Sequence, residues 1–247
     1  MSIETESAKE RIGVIDVARF YAMALVFYGH FVERFMLLKN PAGFAHYKFI
    51  YSFHMMFFFV LAGYVAREND ITFSFGKYLK HRLISRLLPF MFFTVIFMVI
   101  PVFFTGEFYG MVLPSVEGYT KGLINTVFGI PSFCIPSWFI LMLFTVELLH
   151  NGAFRFLQSN TRILIGVFAF YVVGYWLNLK LDLFNPLKGR VVGWNYLFIH
   201  EAITMYAFYL MGIYLRRKKF LMDKIRNRSM HFTRRSPRRW SGWRGAP

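Results

Sequence analysis

Six apolar stretches pattern the chain, each long enough, or nearly so, to cross roughly 30 Å of hydrocarbon. They run Val14–Leu38, Tyr47–Ala66, Leu87–Phe104, Phe133–Leu149, Ile163–Leu179 and Val192–Leu215. Between them lie connections with turn chemistry: "KNPAGF", "RENDITFSFGK", "FTGEFYGMVLPSVEG" and "LFNPLKGR". No internal repeat and no soluble domain interrupts the series. The pattern predicts an all-α, polytopic transmembrane helix bundle of about six spans.

Composition supports this reading. Of 247 residues, 56% are hydrophobic and only 17% charged, too few to cover a soluble core of this size. The start, "MSIETESAKERIG", has no basic n-region and no small-residue cleavage site, so the first apolar helix is expected to stay as an anchor. The single cysteine, Cys134, excludes an internal disulfide and a cysteine-based zinc site. No His/Glu cluster has metal-ligand spacing, so no metal is expected.

Lys and Arg positions predict the orientation. With the N-terminus in the cytoplasm, the inner segments hold Lys9, Arg11, Arg67, Lys77, Lys80, Arg82, Arg86, Arg155, Arg162 and the run from Arg216 to Lys219. The outer segments hold Arg34, Lys39, Lys48, Lys121, Lys180, Lys188 and Arg190, about half as many. N-in/C-in is the expected topology. The formal charge of +16 collects beside spans and in the last residues, as cytosolic flanks do near anionic lipid, and does not indicate nucleic acid.

One span carries charge where charge is costly. In "GVIDVARFYAMALVFYGHF" and just beyond it stand Asp16, Arg19, His30 and Glu33. At about 100° and 1.5 Å per residue they share one stripe about 100° wide, with Arg19 and His30 about 16 Å apart along the axis. Such groups normally face protein or a wet cavity. Two readings stay open: a functional cavity along this helix, or an Asp16–Arg19 ion pair with His30 and Glu33 near the headgroups. In the N-in topology His30, His54 and His200 all fall in the outer half, so they could share a layer. His46 and His150 sit at span ends and need no function.

Three stretches together resemble the type-3 membrane acyltransferases, acyltransferase family 3. "GVIDVARFYAMALVFYGHF" is similar to the family's first helix, an arginine, ten residues, then a histidine, with Asp16 at the usual acidic position. "FHMMFFFVLAGY" resembles its second helix, and "FGKYLKHRLISRLLPF" the basic segment leading into its third. "PSWFILMLFTVELL" is a fainter match to its Trp-Phe-Leu helix. The resemblance implies an integral membrane enzyme, 13–217, moving an acyl group, most often acetyl, from acetyl-CoA to a hydroxyl of a cell-surface or lipid-linked carbohydrate. It implies a bacterial-type inner membrane and the lipid bilayer as surroundings, with acyl-CoA as donor and carbohydrate as acceptor.

Under that resemblance His30 is the base or a transient acyl carrier, Glu33 orients its imidazole, and Arg19 holds or polarises the thioester. Asp16 and His54 are supporting residues. Lys77, Lys80, Arg82 and Arg86, with His81 among them, become the receptor for the anionic donor. Met56 replaces a usual proline and Ala62 a usual serine, and Arg82 and Arg86 stand four apart where the family more often has arginines three apart. Family members also continue through several more helices. Residues 1–12 read as a cytosolic tail and 218–247 as a basic, disordered one held to lipid, or as a frame-shifted or truncated end. The rival readings are a transporter with a buried Asp/Arg/His path and an inactive remnant of the enzyme.

Overall fold

The computed structural model describes residues 13–66, 74–103, 116–180 and 196–218. The two expected tails lie outside them, apart from Lys218, as do most of the turn-rich connections. The described residues are helical: α1 (Gly13–Leu37), α2 (Pro41–Tyr51), α3 (His54–Val65), α4 (Phe75–Arg82), α5 (Leu88–Phe103), α6 (Val116–Val127), α7 (Trp138–Ala153), α8 (Asn160–Lys180) and α9 (Ile199–Arg217). Among the described residues, six stretches are long and apolar enough to cross a membrane: Gly13–Glu33, Pro41–Val65, Phe75–Ile100, Trp138–Phe156, Asn160–Leu177 and Tyr196–Arg217. The chain is an all-α, multi-pass membrane protein.

Boundaries differ from the hydrophobic pattern for local reasons. The third stretch starts at Phe75 instead of Leu87, because the basic segment is itself helical and runs through a π-helical turn, Leu83–Leu87, into α5. The fourth starts at Trp138, since Pro136 follows the non-helical Phe133 and Cys134. The second is broken. Asn40 caps α2, its Oδ1 accepting from the Ala42 and Gly43 amides at 3.0 and 3.2 Å, with Pro41 at the first helical position. α2 then ends at Tyr51 and α3 restarts at His54.

The core is built around α9, which packs on α3, α7 and α8. Tyr206, Tyr209, Leu210 and Ile213 of α9 are buried against Phe59, Leu141 and Val146. Between helices in lipid the hydrophobic effect gives little, so close van der Waals approach across small residues does the holding. Gly63 of α3 lies against the Tyr209 carbonyl, and Gly212 of α9 against the Val60 carbonyl, leaving no space for a side chain at either. Gly174 of α8 meets the Thr204 backbone in the same way. α1 packs on α2 and α3 alone among well-contacted elements, through Ile15, Ala22, Gly29 and Val32. Much of the remaining apolar surface, on α5, α8 and the far side of α1, is exposed as lipid-facing surface is.

Candidate active site

The charged stripe of α1 runs beside its buried stripe, so it faces the flank of the bundle where α3 stands. At one end Arg19 Nη1 sits 3.4 Å from Asp16 Oδ1. About 16 Å along the axis, His30 Nδ1 is 3.2 Å from Glu33 Oε2. A carboxylate only accepts, so in a neutral imidazole this bond places the proton on Nδ1 and leaves the lone pair on Nε2. Both pairs are about half exposed, with His30 at 46% and Glu33 at 39%.

α3 presents a matching stripe at helical spacing: His54, Phe58, Leu61, Ala62 and Val65. At its top, His54 is buried and its Nδ1–H donates to the Ile50 carbonyl at 2.8 Å, across the break after α2. Tyr51 joins the two histidines, edge-on to His30 with centroids 6.5 Å apart and edge-on to His54 at 4.8 Å. Two of the three histidines expected in one layer, His30 and His54, thus flank a single tyrosine. His200 is buried at the start of α9.

At the Arg19 end the two stripes open into a cavity of about 550 Å³. Arg19 and Met23 line it from α1, and Phe58, Leu61, Ala62 and Val65 from α3. α4 and its π-turn add His81, Arg82 and Arg86; α7 adds Phe139, Leu143 and Glu147; and α9 adds Tyr209. Of the basic residues expected at a donor site, Arg82 and Arg86 therefore line the cavity, whereas Lys77 and Lys80 are exposed on α4 outside its lining.

Arg82 and Arg86 converge on one carboxylate. Arg86 donates Nε–H to Glu147 Oε2 at 3.0 Å and Nη2–H to Oε1 at 2.7 Å, a two-pronged fork. Arg82 Nη1 is 3.3 Å from the same Oε1. Arginines four apart lie on one face of the helix, and the turn between them is π-helical. The Arg82 guanidinium lies 4.9 Å from the Tyr78 ring centroid, and the Tyr78 hydroxyl donates to the Glu147 backbone carbonyl at 2.9 Å. The Tyr78 hydroxyl bond and the Arg82 ion pair thus tie α4 to α7.

Glu147 is absent from the candidates drawn from the sequence. Its signal was a lone carboxylate inside the apolar run "FILMLFTVELL", the kind of intramembrane charge that needs a partner. Arg86 lies 61 residues away and Arg82 farther still, which no local pattern reveals. His150 and Tyr206 are a second missed pair, buried and 3.0 Å apart between Nδ1 and the hydroxyl. On another flank of α1, Tyr28 and His46 bond at 2.8 Å in a smaller cavity of about 200 Å³.

Comparison with known families gives this arrangement its context. A family model described as an acyltransferase domain, that of family 3, matches residues 12–228. The chain belongs to acyltransferase family 3. No curated protein and no solved structure matches it significantly. The match takes in every candidate site residue and all six apolar helices, and assigns the protein to the membrane acyltransferases. Within this acyltransferase the departures in α3 have different weight. Ala62 contributes a methyl group to the cavity wall, where a serine would bring a hydroxyl, while Met56 stays outside the lining.

Proposed function

We propose that this acyltransferase moves an acetyl group from acetyl-CoA to a hydroxyl of a cell-surface or lipid-linked carbohydrate, in a bacterial-type inner membrane. In this reading both termini are cytoplasmic, the cavity at Arg19 opens toward the donor, and His30 meets the acceptor at the other side. One observation carries the reading. A single helix face holds a cationic group in a cavity walled by two further arginines and, about 16 Å along, a histidine whose Nδ1–H is held by a carboxylate.

The chemistry follows from those groups. His30 Nε2 takes the proton of the acceptor hydroxyl as its oxygen attacks the thioester carbonyl carbon. Glu33 keeps the imidazole in the tautomer that leaves Nε2 basic and stabilises the imidazolium that forms. Arg19, about 16 Å from His30 along the helix, holds the donor's thioester arm where it leaves the cavity, with Asp16 fixing its side chain, so that the thioester reaches the acceptor at His30. The carbon–sulfur bond breaks, and the departing thiolate regains a proton by way of the imidazolium. Arg82 and Arg86 supply the positive wall for the donor's phosphates.

The test is transfer of label from acetyl-CoA in membranes expressing the full chain, with His30→Ala in parallel. Label reaching a hydroxyl acceptor in the wild type, and falling by about 10²–10⁴-fold in the variant, is the expected result. Equal transfer by both would remove His30 from the chemistry. Proton-driven solute flux in proteoliposomes lacking any acyl donor would favour a transport protein instead.

A further inference from the structure

Glu147 has no part in the steps above, yet its side chain is only 5% exposed and in contact with two cations. A buried carboxylate in an apolar helix is costly unless its partners are well placed, so its geometry bears on what surrounds it. Among the described residues one carboxylate faces two guanidiniums, on the wall of the cavity that also holds Arg19 and His81.

Left to themselves, long arginine side chains near the end of a membrane helix reach outward for water. Here they do the reverse. Glu147 projects from α7, opposite α4, and draws both guanidiniums inward, and the fork on Arg86 fixes the plane of its head group. Tyr78 sets the neighbouring guanidinium and the Glu147 backbone at once.

We propose that Glu147 is a positioning residue for donor recognition: its carboxylate holds Arg82 and Arg86 as one positive wall that receives the phosphate groups of the acyl-CoA. The proposal rests on the reading of the cavity as the donor site. It makes no demand on the acceptor or on His30.

Two donors separate this role from a structural one. Acetyl-CoA carries phosphates; S-acetylpantetheine carries the same thioester arm without them. With the purified full chain, Glu147→Gln should raise KM for acetyl-CoA about tenfold, the worth of one well-aimed charge-assisted hydrogen bond, with kcat little changed. Kinetics with S-acetylpantetheine should hardly move, and Glu147→Asp should recover part of the loss. Calorimetric binding of CoA itself should weaken by a similar factor.

An equal loss on both donors, or a variant that no longer accumulates in the membrane while Glu147→Asp binds CoA as the wild type does, would make Glu147 a structural tie and overturn the proposal. Tighter CoA binding by Glu147→Gln would overturn it too, by showing that the carboxylate competes with the ligand. Wild-type protein that binds CoA without transferring acetyl, and loses that binding in Glu147→Gln, would refute the acyl transfer while upholding the role of Glu147. Wild-type protein that does not bind CoA at all would end both.

Discussion

Replacing Gly63 with alanine tests the helix crossing on which the cavity depends. A Cβ at this position would lie 2.8 Å from the Tyr209 carbonyl carbon and 3.1 Å from its Cα, with the carbonyl oxygen closer still. Ordinary contacts begin at 3.4 Å, and the obstructing atoms are backbone, which cannot rotate aside. α3 and α9 must therefore separate by more than about half an ångström, which forfeits packing along the whole crossing. Overpacking of this kind costs about 1–3 kcal/mol, against at most about 1 kcal/mol gained from the better helix propensity of alanine. Gly152 supplies the control, because nothing lies within 4 Å of a Cβ there. Thermal unfolding of the purified protein in detergent should show Gly63→Ala losing stability and Gly152→Ala matching or exceeding the wild type. Tyr209 lines the cavity, so Gly63→Ala should also weaken CoA binding. A Gly63→Ala protein as stable as the Gly152→Ala protein would refute the close approach of α3 and α9.

Glu33→Gln should lower acetyl transfer by about 10–100-fold with unchanged donor affinity, because the amide no longer enforces the Nδ1–H tautomer of His30; single-turnover rates with labelled acetyl-CoA check this. Cys134, in the connection before α7, is buried, and that burial pushes its thiol up from the usual range. A raised value means less thiolate at neutral pH, so maleimide labelling should be slow in the folded protein and fast after denaturation. Rapid labelling without unfolding would contradict the buried position.

Part of this protein is legible in its linear pattern. Long apolar runs force helices wherever lipid cannot satisfy backbone groups, so six spanning segments follow from composition and length. The stripe on α1 follows from helical geometry alone, and the Asp16–Arg19 and His30–Glu33 pairs, each three residues apart, formed where that periodicity put them. Capping of α2 by Asn40 and Pro41 is local too.

What the tertiary structure decided is which charges meet. Arg82 and Arg86 were legible as basic residues beside a span, but Glu147 became their partner only when α7 packed beside the π-turn. The same packing separated Arg82 and Arg86 from Lys77 and Lys80, four basic residues that look equivalent along the chain. Tyr51 links His30 to His54 because the second apolar stretch breaks after α2, a bend that its continuous hydrophobicity conceals. Periodicity reports which face of a helix is special; what that face touches is set by crossings such as Gly63 on Tyr209, where the fit between two distant backbones determines the approach.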